Sequence, residues 1–221
     1  MIISIMGNKS SKIHIEFNKE KQTILHIACK NNLESDALTI INGNISLKLI
    51  NSVDIYGNTA LHYAIYNKME LVILKLLNLI TEETINQVNR KGHTIFYLLC
   101  INDMEQILLL LIEKMSLKSI NNIDKYGNTI LMDACANEMK LVALKLIDIM
   151  SIESINQISK EGETALINAC IKNMGIVALK LIDKMTKETI EQIDILNHTA
   201  LFYAEINKMT SVIKKINDRL N

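Results

Sequence analysis

The feature that most constrains this chain is the even spacing of its glycines and threonines. A glycine recurs every 35 residues, and a threonine follows each glycine two residues later. Self-similarity at such a period is typical of an array in which one supersecondary unit packs on the next. The glycines are Gly57, Gly92, Gly127 and Gly162, and the threonines are Thr59, Thr94, Thr129, Thr164 and Thr199, with Thr23 one residue out of register. We therefore predict one continuous array with no linker.

One period, residues 123–145, shows the pattern that the others repeat. Its first residues predict a turn with a glycine at positive φ, followed by a short helix capped by Thr129. Asn137 predicts a helix end in the left-handed conformation, and a longer apolar helix follows, which we expect to lie in the core. Asparagine occupies that position at Asn31, Asn67, Asn102 and Asn137. The chain is therefore predicted to be all-α.

A polar segment after the second helix extends each period. It begins with a serine or threonine and contains an isoleucine four residues later. This spacing predicts an extra, N-capped helical turn whose isoleucine packs on the core. The pairs are Thr81 with Ile85, Ser116 with Ile120, Ser151 with Ile155, and Thr186 with Ile190.

The four cysteines occupy one position of the repeat, just after the small residue of the first helix. Equivalent positions in neighbouring repeats lie roughly 8–10 Å apart, beyond the roughly 7 Å that a disulfide spans between Cα atoms. They also cannot converge on one zinc ion. Cys29, Cys100, Cys135 and Cys170 are therefore predicted to be reduced, buried residues between repeats, which favours a cytoplasmic location.

Charge and motifs exclude several classes of function. Lys and Arg number 24, as do Asp and Glu, so the chain lacks the basic excess that nucleic-acid binding needs. No apolar run reaches the roughly 18 residues of a membrane span. Metalloprotease, P-loop, nucleophile-elbow and paired C-x-x-C motifs are missing. We expect a soluble, intracellular protein with no catalytic residues, metal, cofactor or small-molecule substrate.

The repeated motif resembles the D-x-x-G-x-T-P-L-H-x-A signature of ankyrin repeats. The best copy is DIYGNTALHYA, residues 54–64, and four further copies follow in register. The resemblance covers residues 18–221 and implies an ankyrin-repeat solenoid of six repeats, with His26 and His62 as structural histidines of the turns. The predicted repeats are 18–53, 54–88, 89–123, 124–158, 159–193 and 194–221.

The chain departs from the ankyrin pattern in several places. The proline at the first helical position is replaced by isoleucine or alanine, which a helix tolerates. The period of 35 also exceeds the usual 33 or so. In the first repeat Lys21 stands where the turn should have glycine, so the sequence leaves that turn in doubt.

Residues 1–17 precede the repeats and allow two interpretations. Residues 1–6 and 12–17 alternate apolar and polar side chains around a polar link, which predicts a β-hairpin or a loose tail. Alternatively, MGNKSS at residues 6–11 matches the N-myristoylation pattern. Gly7 could carry the acyl chain only if translation began at Met6, which would make the protein a membrane-tethered adaptor.

The resemblance also implies where a partner binds. In ankyrin arrays the turn tips and the exposed side of the first helix form a concave face that binds proteins. The corresponding residues here are Ile55, Tyr56, Asn58, Tyr66, Arg90, Lys91, His93, Ile101, Lys125, Tyr126, Asn128, Lys160, Glu161 and Glu163. Arg90, Lys91 and His93 form a basic tip and Glu161 and Glu163 an acidic one, with Tyr126 between them in the chain.

Composition and motifs together suggest a source and a partner. The Ile-, Asn- and Lys-rich repeats are similar to ankyrin proteins of large DNA viruses of amoebae. That similarity implies a monomeric viral protein in the host cytoplasm that binds a host or viral protein. A substrate adaptor for a ubiquitin ligase, as in some viral ankyrin proteins, is a second alternative.

Overall fold

The computed structural model describes residues 17–43 and 45–221, which are helical with short turns. Both interpretations of residues 1–16, the hairpin and the acylated Gly7, lie outside the described residues. The first helices of the repeats are Ile24–Lys30 (α1), Ala60–Tyr66 (α4), Ile95–Ile101 (α7), Ile130–Ala136 (α10), Ala165–Ile171 (α13) and Ala200–Ile206 (α16). The second helices are Glu34–Asn42 (α2), Glu70–Leu77 (α5), Glu105–Ile112 (α8), Lys140–Ile149 (α11), Gly175–Lys184 (α14) and Thr210–Leu220 (α17).

The described residues form two compact units. Unit 1 consists of residues up to Thr81 together with Val88–Gly92, and in it α1 packs on α4 and α2 on α5. Unit 2 consists of Glu82–Gln87 and His93–Asn221. In unit 2 the first helices α7, α10, α13 and α16 pack in succession, as do the second helices α8, α11, α14 and α17. The repeat boundaries drawn from the sequence stay a prediction.

Threonine caps begin the first helices, as the sequence predicts. The Thr94 hydroxyl accepts a hydrogen bond from the backbone N–H of Tyr97 at 3.1 Å, and Thr129, Thr164 and Thr199 cap their helices in the same way. In α1 the cap is reciprocal, because the Thr23 backbone N–H donates to His26 Nδ1 at 3.2 Å. Each such cap contributes about 1 kcal/mol and fixes where the turn ends and the helix begins.

The predicted left-handed helix ends are wrong by one residue. Asn67 and Asn137 end their helices with φ of −97° and −106°, and the residues that follow them, Lys68 and Glu138, have positive φ instead. Asn67 has another role, since its side chain donates to the Cys29 carbonyl at 2.7 Å and so ties α4 to α1. Asn31 and Asn102 likewise have negative φ.

The extra helical turns form where the sequence places them. The predicted turns are Glu82–Ile85 (α6), Leu117–Ile120 (α9), Ile152–Ile155 (α12) and Lys187–Ile190 (α15), and the first repeat adds an unpredicted one, Leu47–Ile50 (α3). The four predicted isoleucines are at most 4% exposed. A fully buried isoleucine contributes about 1.5–3 kcal/mol, enough to hold so short a helix against the core.

The second helices are buried on one side only. Leu76, Leu111 and Leu146 are completely buried in the core. By contrast, Leu141 is 49% exposed and Ile176 is 58% exposed. The sequence expectation that the apolar second helices lie in the core therefore holds for their inner rows and not for their outer rows. None of the helices formed by residues 17–43 and 45–221 is long and apolar enough to cross a membrane.

The cysteines are free and buried in both units. Burial raises the pKa of Cys29 and of Cys170 to about 12 and also raises the pKa values of Cys100 and Cys135. A thiol reacts through its thiolate, so both the missing access and the raised pKa make these residues inert.

We therefore expect a thiol reagent at pH 8 to modify no cysteine of the folded protein within minutes, and four per chain once denaturant is added. Absorbance of the released chromophore gives the count. Fewer than four thiols in denaturant without a reductant, or fast reaction of the folded protein, would contradict the prediction.

Candidate partner-binding surface

Each tip, meaning the five-residue turn before a first helix, is held together by its own first side chain. In the tip Asp54–Asn58, the Asp54 carboxylate accepts from the backbone N–H groups of Tyr56 and Asn58 at 2.8 and 2.9 Å. The first repeat forms the same turn around Asn18, and Lys21 adopts a φ of 57° in the position of the glycine. The doubt that the sequence raised about that turn is thereby resolved.

In unit 1 the predicted tip residues differ in accessibility. Tyr56 is 41% exposed, Ile55 is half-buried, and Asn58 is only 9% exposed. The Asn58 side chain donates to Tyr63 Oη at 3.3 Å and accepts from Asn89 Nδ2 at 3.0 Å. Asn58 is therefore largely buried with its amide engaged within the structure, and its contact with a partner stays a prediction.

A pocket of about 370 Å³ lies between two tips of unit 1. The tips are joined by the Arg90 backbone N–H, which donates to the Tyr56 carbonyl at 2.9 Å. The predicted residues Tyr56, Asn58, Tyr66, Arg90 and Lys91 come together here. The lining that the sequence did not predict consists of Lys30, Tyr63, Asn67 and Asn89.

In unit 2 the tip Asp124–Asn128 displays a tyrosine and a lysine side by side. Tyr126 is 50% exposed, and the Lys125 ammonium lies 4.8 Å from the centre of its ring. The Tyr126 carbonyl accepts from the backbone N–H of Lys160 in the next tip at 2.9 Å. Asn128 is half-buried. The tip therefore offers an aromatic face with a fixed cation on it.

The other predicted residues of unit 2 are displayed to different degrees. Ile101, Lys160 and Glu161 are exposed. His93 is half-buried against Tyr97, with ring centres 4.8 Å apart. Glu163 is also half-buried, and its carboxylate accepts from the Asn168 side chain at 3.4 Å. The acidic character of this tip therefore rests mainly on Glu161.

The sequence analysis missed an apolar tip at the end of unit 2. Ile195 and Leu196 are 69% and 63% exposed, and Ile206 on the following helix is 59% exposed. Nearby, His198 stacks on Phe202 with ring centres 3.8 Å apart. Ile195 and Leu196 lie 35 residues after Lys160 and Glu161, so alignment by the period was the signal that could have found them.

In the tip Asp124–Asn128 of unit 2, a second carboxyl group, that of Asp133, takes the place that a tyrosine hydroxyl has in two other tips. Tyr203 donates its hydroxyl to Asp194 Oδ2 at 2.5 Å, and Tyr63 donates to Asp54 Oδ2 at 2.6 Å in unit 1. The corresponding residue beside Asp124 is Asp133, which is half-buried and has no hydrogen-bond donor to its carboxyl group among the described residues. Burial, together with the charge of Asp124, raises the pKa of Asp133 to about 7.

His26, in the first turn of α1, is structural in its contacts. His26 Nε2 donates to the Asn58 carbonyl at 3.2 Å, since its Nδ1 accepts from Thr23. Burial lowers the pKa of His26, so the ring is neutral at physiological pH. In residues 17–43 and 45–221, no group of three or more His, Cys, Asp or Glu side chains is placed to hold a metal ion.

The family comparison finds ankyrin repeats in the first part of the chain. Residues 4–83 match the family model described as ankyrin repeats (3 copies). No curated protein matches the sequence.

Solved structures match most of the chain. The ankyrin repeat domain of Bcl-3, a member of the IkappaB family, is 20% identical with a TM-score of 0.64, over 90% of this chain and 85% of that one. A chain from the complex of a predatory endopeptidase of Bdellovibrio bacteriovorus with an immunity protein is 21% identical with a TM-score of 0.65, over 92% and 100%. An ankyrin repeat domain from Acinetobacter baumannii is 19% identical with a TM-score of 0.65, over 88% and 96%.

These similarities and the helix pattern define the class. The protein has the ankyrin-repeat fold, as the signature motif predicts. That fold commonly serves as a protein–protein interaction module and is typically a non-catalytic binding scaffold.

Proposed function

We propose that this chain is a non-catalytic module that binds a protein partner through the tips and the exposed ends of the first helices. One observation carries the proposal: the tips share one set of backbone bonds but display different chemistry. In three successive tips of unit 2, the second and third positions hold Lys125 and Tyr126, Lys160 and Glu161, and the apolar pair Ile195 and Leu196. A constant scaffold with variable exposed side chains is what a recognition surface requires.

The outer side of the second helices is a poorer candidate for recognition. Its charged residues already pair with each other, as in Lys180 with Asp148 at 2.6 Å and Lys215 with Asp183 at 2.6 Å. A partner that bound there would have to break these ion pairs, or it would contact side chains whose charges are already neutralised. Tip residues such as Lys160 and Glu161 form no ion pair with any described residue, so their charges remain available.

Tyr126 is the side chain of unit 2 best suited to anchor a partner. Tyrosine buries a large area at low conformational cost and is enriched among residues that dominate binding energy. We therefore expect Tyr126→Ala to weaken partner binding by more than about 1 kcal/mol, or at least fivefold, while leaving the urea midpoint nearly unchanged.

Leu141→Ala provides the matched control. Leu141 is as exposed as Tyr126, at 49% against 50%, but lies on the outer side of a second helix. Affinity capture from cells with wild type and both variants, read by quantitative mass spectrometry, tests the surface. Proteins retained by the wild type and by Leu141→Ala but lost with Tyr126→Ala support the proposal. Loss with Leu141→Ala alone would move the binding surface to the second helices.

The location and origin of the partner rest on the sequence resemblance alone. We infer a cytoplasmic partner, supplied by the host if the chain is viral. Fractionating the native cells while following the captured protein tests this placement, and recovery of the complex with membranes would favour the acylated alternative at Gly7.

A further inference from the structure

The pocket of unit 1 has an unusual combination of lining residues. Besides asparagines, it is lined by Tyr56, Tyr63 and Tyr66 together with Lys30, Arg90 and Lys91, and no carboxylate lines it. Aromatic faces beside cations attract a ligand that is both anionic and partly apolar. The volume of about 370 Å³ fits two or three side chains of a peptide.

The lysines are positioned by the rings. The Lys91 ammonium lies 6.0 Å from the centre of Tyr66, and the Lys30 ammonium lies 5.9 Å from those of Tyr56 and Tyr63. Cation–π attraction holds an ammonium without consuming its hydrogen bonds to a ligand. These side chains therefore lose less rotamer freedom when they bind an anion.

Two of the three positive charges have no counter-ion. Lys30 pairs with Glu20 at 3.0 Å, at the edge of the pocket. Arg90 and Lys91 are exposed and form no salt bridge with any described residue. The lining of the pocket therefore carries two cations without an ion-pair partner, and the nearest buried carboxylate, Asp54, lies behind Tyr63 and is engaged by its hydroxyl at 2.6 Å.

The polar atoms beneath the pocket are already satisfied. Asn89 Nδ2 donates to Asn58 Oδ1 at 3.0 Å and to Tyr66 Oη at 3.1 Å. The backbone N–H groups of Arg90 and Lys91 donate to Tyr56 and Asn89, so neither is free to form a cradle for a compact phosphate. Recognition must come from the spread cations and the ring faces. This arrangement favours several separated carboxylates over one phosphate.

We propose that this pocket binds an acidic segment of a partner protein, with its carboxylates on Arg90 and Lys91 and an apolar side chain on the rings of Tyr56 and Tyr66. The proposal rests on the proposed protein-binding function and specifies the partner chemistry for unit 1. Glu20 is the internal model for such a carboxylate: it binds Lys30 and accepts weakly from Tyr56 Oη at 3.4 Å.

Fluorescence anisotropy with synthetic peptides tests the chemistry directly. The probe is a fluorescein-labelled 12-residue peptide of alternating glutamate and phenylalanine pairs, and the control peptide has glutamine in place of every glutamate. We expect the full chain to bind the acidic probe at least tenfold more tightly than the control peptide, with affinity falling as salt rises. No binding of the acidic probe, or equal binding of both peptides, would overturn the proposal.

Matched double variants locate the site. Arg90→Gln with Lys91→Gln removes two charges from the pocket, whereas Lys48→Gln with Lys75→Gln removes two exposed charges elsewhere in unit 1. The first pair should weaken binding about tenfold and the second less than about twofold, since exposed ion pairs contribute roughly 0.2–1 kcal/mol each. Equal losses would show charge attraction without a site and refute the proposal.

A phosphotyrosine peptide, used as a third probe, tests whether the pocket recognises phosphate instead of carboxylates. Tighter binding of that peptide than of the acidic probe would reject carboxylate recognition in favour of phosphate. The test of Tyr126 is independent, because Tyr126 lies in unit 2. Loss of partner capture with Tyr126→Ala, combined with no binding of the acidic probe, would leave the general function standing and remove only this proposal.

Discussion

Replacing Gly162 with alanine should lower the free energy of unfolding by about 3 kcal/mol. The residue has a φ of +76°, which costs an L-residue roughly 1–2 kcal/mol. In addition, an added Cβ would overlap the carbonyl oxygen of Ile193 and crowd the Cα of Asp194 in the next tip. The overlapping atoms belong to the backbone, which cannot move aside as a flexible side chain would. Relieving the overlap therefore disturbs the packing of one tip on the next.

Gly175→Ala is the matched control within unit 2. Gly175 begins helix α14, and the nearest atom to its added Cβ would be the end of the Met209 side chain at 4.0 Å. Alanine there should be neutral or stabilising by up to about 1 kcal/mol. Urea unfolding followed by circular dichroism compares the two variants. Midpoints that agree within error would show that close contact between tips does not contribute to stability.

Much of the fold is predictable because it depends on local chemistry. A threonine hydroxyl accepts from the backbone N–H three residues later, and an isoleucine four residues after a cap packs on the core. Both features depend mainly on residues nearby in the sequence. These features recur with the period and can be read from the chain. The first repeat has an extra turn at Leu47–Ile50 as well, but only the second feature recurs there: Ile50 is 2% exposed, whereas the Ser46 side chain forms no cap hydrogen bond.

The helix ends were less predictable because a buried residue, and not asparagine, sets them. The backbone N–H of Met139 donates to the Ala134 carbonyl at 2.9 Å, and that bond requires positive φ at Glu138. Met139 is 3% exposed, so its burial stabilises the motif. The readable signal was therefore the apolar residue two positions after the asparagine. In repeats two to six it is Met69, Met104, Met139, Met174 or Met209, each at most 7% exposed, whereas Leu33 in the first repeat is 38% exposed. In the fifth repeat Lys172 stands in place of the asparagine.

The candidate surface was predictable only in part. Exposure of Tyr56 and Tyr126 follows from their position in the tip, which the period defines. The burial of Asn58 depends on Tyr63 and Asn89, and Asn128 lacks such partners and is only half-buried. The contact of Asn58 with Asn89 joins residues 31 positions apart. No local pattern contains such a contact, and the pocket of unit 1 went unrecognised in the sequence for the same reason.

The second large effect concerns Asp133, whose carboxyl group lies where two other repeats have a tyrosine that donates to the aspartate of the tip. Its pKa is raised from an ordinary 3.8 to about 7 in the folded chain, by burial first and by Asp124 second. Between pH 4 and 7 the folded state therefore retains a proton that the unfolded state has released. Stability must fall as pH rises through that window, because the folded state binds more protons there than the unfolded state.

Asp133→Asn removes this titration. At pH 4 the variant and the wild type should unfold at the same urea concentration within error. At pH 8 the variant should be more stable by about 2 kcal/mol, roughly half of the value for a fully buried group because Asp133 is half-buried and partly screened. Unfolding curves at unit steps from pH 4 to 8 measure the difference, which should grow up to about pH 7 and then level off.

Asp133→Tyr tests the structural reason for the effect. Tyr63 and Tyr203 donate to their aspartates at 2.6 and 2.5 Å, so a tyrosine at 133 should donate to Asp124 in the same way. We expect it to match or exceed the stability of Asp133→Asn at pH 8, because it adds a charge-assisted hydrogen bond where the asparagine only removes a repulsion. If both variants instead lose the same stability at pH 4 and at pH 8, the Asp133 side chain stabilises this tip independently of its charge, and the repulsion between the two aspartates has no measurable effect.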